Sequence, residues 1–194
     1  MPLVTVRHFT EADIALRCEL LRESHFQANL TDFAVTTGDD ALAAGMRRTV
    51  REDQSIKRMY TVCGAKGQIF GFGWVTSIDW RAQCCELSFG VLPRYRGAFG
   101  ATAVGALHEF VHVELNMKVI INQVLEHNTM LISADDLAEH RDVRCAYDSY
   151  TVGQWRTACY WTKLVEDPLR FGEAHQERRR AIAEQIRENA RGAT

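Results

Sequence analysis

No apolar run in this sequence approaches the roughly 20 residues that a helix needs to cross a bilayer, so no membrane partner is expected. The six cysteines (Cys18, Cys63, Cys84, Cys85, Cys145 and Cys159) lack any paired Cys-x-x-Cys spacing. A signal-peptide pattern is missing as well, because Glu11 and Asp13 soon interrupt the short strand-like start. The thiols are therefore expected to be reduced and the protein cytoplasmic. Net charge is nearly absent: 23 Lys and Arg stand against 25 Asp and Glu, a formal −2. That balance gives no global reason to expect nucleic acid or an anionic surface as partner. There is also no internal repeat, no low-complexity segment and no linker before Asp167.

What is present suits one α/β domain with a core and a short appendage, since 194 residues with 46% apolar content can bury a sizeable interior. Residues 3–9 alternate as a strand. Thr10 then reads as a helix N-cap, with Asp13 reaching back in a capping-box role. Ile14, Leu16, Leu20 and Leu21 supply the apolar face of a helix to about His25, and a second helix covers residues 39–51. Residues 59–63 and 69–78, separated by Gly64-Ala65-Lys66-Gly67, read as a hairpin, and residues 84–91 as a third strand. Val104, Leu107, Val111 and Leu115 mark a helix over 101–116. A buried strand at 119–125, a short helix at 133–140 and a hairpin of residues 150–152 and 155–165 follow. The order predicts one mixed sheet with helices on both faces.

The stretch from Glu86 to Ala103 carries the chemistry. A strand ends, a basic turn of small residues follows, and a helix begins. Its first amides lack intrahelical partners and sit at the positive end of the helix dipole, a site suited to phosphate. Arg94 and Arg96 add countercharge. On the preceding strand Glu86, Ser88 and Gly90 share one face while Leu87, Phe89 and Val91 share the other.

Val91-Leu92-Pro93-Arg94-Tyr95-Arg96-Gly97, with Ala101-Thr102, resembles the coenzyme A pyrophosphate loop of the GNAT acyltransferases. Glu86 on the strand before it, the turn Glu126-His127-Asn128-Thr129 after the fifth strand, and the closing hairpin extend the resemblance over residues 3–166. It implies an α/β (α+β) fold with a mixed, mostly antiparallel sheet of about seven strands, in a domain at 1–166 with a charged helical extension at 167–194. It further implies acetyl-CoA or another acyl-CoA as co-substrate, no metal, and transfer to the primary amine of a small-molecule or peptide acceptor. Glu86 would act as the catalytic base, since a protonated amine has no lone pair with which to attack. Phe89, Gly90, Val91, Arg94, Arg96, Gly97, Ala98, Phe99, Gly100, Ala101, Thr102 and Asn128 would bind the cofactor. Two features depart from the family pattern. Phe99 stands where a small residue is usual, and the general-acid tyrosine after the Asn-bearing turn is missing, leaving Tyr147, Tyr150 or water. Those departures raise the alternatives of an acyl carrier protein as donor and of a catalytically degenerate binding protein.

A second motif competes. His108-Glu109-Phe110-Val111-His112 places two imidazoles four residues apart on a helix, the spacing of a zinc hydrolase with Glu109 activating water. No Gly-x-x-His continuation follows it, and the alternative reading is a pair of structural histidines at the helix surface or core edge. Arg178, Arg179 and Arg180 interleave with Glu173, Glu177, Glu184 and Glu188, as in a solvated helix. That tail leaves room for an acyl carrier protein, a tRNA or a partner subunit, including a homodimer.

Overall fold

A computed structural model describes residues 4–29, 36–52, 57–128, 134–151 and 153–192. Its strands are β1 Val4–His8, β2 Arg58–Gly64, β3 Ile69–Asp79, β4 Cys84–Val91, β5 Val119–Leu125, β6 Val143–Thr151 and β7 Gln154–Leu164. They form one sheet in the order β1-β2-β3-β4-β5-β7-β6. Every neighbouring pair is antiparallel except β4 with β5. That parallel pairing extends only from Cys84–Val119 to Glu86–Ile121. Beyond it the two strands part, which leaves the backbone of Leu87 to Val91 without a β5 partner.

The helices are α1 Ile14–Arg22, α2 Ser24–Gln27, α3 Asp39–Arg51, α4 Ala98–Val113, α5 Ala134–His140 and α6 Pro168–Gly192. On one face α4 seats Ala103, Leu107 and Val111 against Val75, Cys85, Leu87 and Ile120. On the other, Leu20 and Leu21 of α1 and Leu42 and Met46 of α3 cover Met59 and Phe72. Each large apolar side chain so buried contributes on the order of 1.5–3 kcal/mol. Two clusters divided by the sheet fix which strand face meets which helix. Glu86 consequently lies on the α1–α3 side, opposite Leu87.

Local chemistry explains the ends. Asp13, only 2% exposed, accepts the Thr10 amide at 2.9 Å, as its capping role requires. It also accepts both terminal nitrogens of Arg7 at 2.7 Å and the Thr61 hydroxyl at 3.0 Å, tying α1 to the sheet. Burial pushes the Asp13 carboxyl up, but these donors outweigh it and hold it below the usual range.

Three elements differ from the sequence expectation. The first helix stops at Arg22 rather than near His25, because Glu23 turns extended and its carboxylate caps α2 at the His25 and Phe26 amides. The sixth strand starts at Val143, well before residue 150. Its register slips between Cys145 and Ser149, where Tyr147 has φ +56°, so the alternation that marks a strand is broken. The tail is a helix, as expected, but α6 docks on α4: Gly172 sits where a Cβ would come within 2.7 Å of Val113. Ser133 and Thr129, included in the expected helix and turn, lie outside the described residues.

Candidate active site

A cavity of ≈ 950 Å³ runs through the sheet where β4 and β5 part. At one end it meets the start of α4, lined by Arg96, Gly97, Gly100 and Ala101. Phe89, Gly90 and Val91 of β4 and Leu125 of β5 form its waist. At the other end lie Arg17 of α1, Met46 of α3 and Trp74 and Thr76 of β3.

The α4 end is shaped by glycine. Gly97 has φ +90° and ψ −141°, a conformation that side-chain-bearing residues avoid. It turns the chain abruptly into the helix, and Ala101 N–H closes the first turn on Gly97 O at 3.0 Å. The amides ahead of that bond have no carbonyl four residues back within the helix. A Cβ on Gly100 would come within 3.2 Å of Tyr95 O and 3.3 Å of Val91 Cγ1, so a larger residue would push helix and strand apart by a few tenths of an ångström. Phe99 turns away from the cavity, 63% exposed, with its ring 5.9 Å from that of Phe70. It does not plug the turn.

Eight of the thirteen residues singled out in the sequence line the cavity: Phe89, Gly90, Val91, Arg96, Gly97, Gly100, Ala101 and Asn128. Arg94 instead stacks on Tyr95, its guanidinium carbon 5.0 Å from the ring centre. Phe99 and Thr102 face outward, and of Ala98 only the backbone is described. Glu86 stands just beside the lining and accepts the Thr76 hydroxyl at 3.3 Å. Tyr147 and Tyr150 are exposed, Tyr150 stacking edge-on against Trp155.

Two groups at the site were not singled out by sequence. Arg17 is 7% exposed, stacks on Trp74 at 4.4 Å, and leaves Nε and Nη1 without hydrogen-bond partners. Burial lowers its pKa to about 10. The signal was available: Arg17 follows Ile14 by three residues and precedes Leu20 and Leu21 by three and four, a charge set into an apolar stripe. The second group joins β5 to the terminal hairpin. Gln123 Nε2 donates to Asp148 Oδ2 at 2.9 Å and to the Tyr160 hydroxyl at 2.7 Å, and that hydroxyl donates to Asp148. Burial and the Asp148 carboxylate push the Tyr160 phenol up to about 12. Only the tertiary pairing of Gln123 with Tyr160 brings these residues together.

The His-Glu-x-x-His residues are built into the helix packing. His108 places Nδ1 3.0 Å from Val104 O and Nε2 3.2 Å from Asn122 Oδ1, pointing to β5. His112, fully buried, donates through Nδ1 to Met117 O at 2.6 Å and meets the Phe171 ring of α6 edge-on. Among the described residues, no group of three or more His, Cys, Asp or Glu side chains is arranged to hold a metal ion.

The sequence matches no protein-family model and no curated protein. Solved structures do match the fold. Spermidine N-acetyltransferase from Vibrio cholerae, in complex with coenzyme A and spermine, superposes with a TM-score of 0.74 at 15% identity, over 86% of this chain and 98% of that one. A chimeric form of the same enzyme gives 0.71 at 15% identity, over 84% and 96%. Glutamate-to-glutamine mutant forms of it give 0.68 at 14% identity, over 91% and 98%. The fold is that of the GNAT acyltransferases, a mostly antiparallel seven-stranded sheet opened at one parallel pair.

Proposed function

We propose that this protein transfers an acetyl group from acetyl-CoA to a primary amine. The observation that carries the reading is the cavity through the β4–β5 gap, which joins a glycine-opened helix start to a buried arginine on the far side of the sheet, with the Glu86 carboxylate just beside its lining. The structural neighbours, one of them holding coenzyme A and spermine, support it.

In this reading the amides at the start of α4, with Arg96, hold the pyrophosphate. The pantetheine arm lies along the unpaired backbone of Phe89 to Val91, which presents amide and carbonyl groups that no β5 strand satisfies. The thioester then sits in the gap, and the acceptor amine approaches from the Trp74 side. Glu86 removes the amine proton, directly or through one water. The lone pair so released attacks the thioester carbonyl, the C–N bond forms, the C–S bond breaks, and coenzyme A leaves as its thiol once protonated. Phe99, turned to solvent, obstructs none of this.

The test is twofold. Acetyl-CoA at millimolar concentration raises the melting temperature, because a ligand of the folded state stabilises it by RT ln(1 + [L]/Kd). Thiol release with an amine acceptor then follows, and Glu86→Gln lowers turnover on the order of 100-fold with donor binding retained. Absence of any thermal shift defeats the reading; full turnover in Glu86→Gln removes that residue from the mechanism.

A further inference from the structure

Four cations line the cavity, namely Arg17, Arg48, Lys57 and Arg96, and no carboxylate side chain lines it among the described residues. Arg96 belongs to the phosphate end and is already paired with Glu23 at 2.6 Å. Arg17 does not belong to that end. It lies over Trp74, whose β4 neighbour is Ser88, whereas the turn into α4 follows Val91. Three residues of strand separate the two, about 10 Å. A diphosphate held at Gly97 is thus out of reach of this guanidinium.

A buried guanidinium with two unsatisfied nitrogens is unfavourable as it stands. Stacking on Trp74 satisfies one face of the ion and none of its in-plane donors. Those donors are fixed in plane, and their natural complement is a carboxylate. Arg48 and Lys57 at the same end of the cavity extend the positive field that would draw an anion in. A polyamine, by contrast, would bring ammonium groups toward a guanidinium that has no carboxylate partner among the described residues.

We infer that the acceptor is an amine that also carries a carboxylate, such as a free amino acid, and that Arg17 seats this carboxylate on the Trp74 side of the cavity. This rests on the acetyltransferase reading above. The dimensions agree with it. Glu86 pairs with Thr76 across the sheet and Ser88 with Trp74, so the base lies two residues, about 7 Å along the strand, from the residue opposite Trp74, over whose ring the arginine stacks. An α-amino acid spans that interval with its carboxylate on Arg17 and its amine between Glu86 and the thioester. Arg17 is accordingly a specificity residue that binds the acceptor without taking part in proton transfer.

The test compares acceptors that differ only in the carboxylate. Thiol release from acetyl-CoA is measured with leucine against isoamylamine, phenylalanine against phenethylamine, the remaining common amino acids, and spermidine. Amino acids are expected to exceed their decarboxylated partners by at least tenfold in kcat/KM. Arg17→Met removes that preference through KM for the acid, leaves KM for acetyl-CoA within twofold, and Arg17→Lys restores part of the preference. Equal use of acid and amine, turnover of spermidine with no amino acid accepted, or a preference that survives in Arg17→Met overturns the inference. A binding arm needs no turnover: N-acetyl-leucine and N-acetyl-phenylalanine should raise the melting temperature of the wild type and not of Arg17→Met. If acetyl-CoA neither stabilises the protein nor is consumed, the acetyltransferase reading fails by itself. The carboxylate pocket is then supported by an Arg17-dependent shift in that arm and overturned by its absence.

Discussion

Arg96, in the turn before α4, reaches Glu23 at the corner between α1 and α2, with Nη2 2.6 Å from Oε2. The pair spans 73 positions of sequence and joins the α4 end of the cavity to the corner of α1 and α2. Glu23 does two tasks at once, since the same carboxylate caps α2 through the His25 and Phe26 amides. Burial works to raise its pKa, and the Arg96 pair and the capped amides more than offset that, keeping it below the usual range.

Glu23→Ala should therefore weaken two properties together. Losing a cap and a half-buried pair costs about 1–2 kcal/mol of stability, readable by urea denaturation. Coenzyme A binding should fall about three- to tenfold by calorimetry, as the Arg96 side chain loses its anchor. An unchanged dissociation constant would show that Arg96 needs no tether.

Gly97→Ala should be more damaging than its size suggests. At φ +90° an alanine is strained by on the order of 1–3 kcal/mol although open space surrounds the site. The expected result is a lower melting temperature together with loss of the thermal shift expected of acetyl-CoA with the wild type.

Arg17→Met should move stability the other way. The wild-type side chain is buried with unsatisfied donors, so an apolar replacement of similar length relieves desolvation while forfeiting the stack on Trp74. Unfolding of the acceptor-free protein should need about 1 kcal/mol more in the variant than in the wild type. A clear loss of stability would mean that the stack outweighs the buried charge.

His112 sets a pH dependence unrelated to catalysis. Its pKa is lowered to about 4 by burial, against an ordinary value of 6.5, while its bond to Met117 O opposes the shift only in part. The unfolded chain thus binds this proton more readily than the folded one as the pH falls below 6.5. Stability contributed here is complete above that pH and is lost progressively between 6.5 and about 4, at up to ~1.4 kcal/mol per pH unit. His112→Asn, which keeps an amide donor for Met117, should flatten denaturation midpoints across that interval. A wild-type profile that is already flat would contradict the assignment.

Much of the architecture was legible from short-range pattern. Alternation marked β1 and β4, β-branched and aromatic content around the Gly64–Gly67 turn marked β2 and β3, and the stripe Val104, Leu107 and Val111 marked α4. The small-residue turn at Gly97 located the helix start that opens on the cavity. The HExxH pentapeptide shows the limit of such reading, because motif spacing alone could not separate ligands from packing groups. In the folded chain His108 faces Asn122 of β5 and His112 is closed in by Met117 and Phe171, partners supplied by other elements. The bulge at Tyr147 hid the start of β6, since a residue at positive φ breaks the twofold rhythm by which strands are recognised.

The sequence by itself determined most of the strands and helices and the glycine-dependent turn into α4 with its two arginines, because these follow from dihedral preference and from periodicity within a dozen residues. Tertiary structure alone decided that β4 and β5 part after three paired residues, that Trp74 comes to lie beneath Arg17, and that Gln123, Asp148 and Tyr160 meet. Such contacts join residues far apart in the chain, and their energies depend on which sheet face and which register the whole core selects.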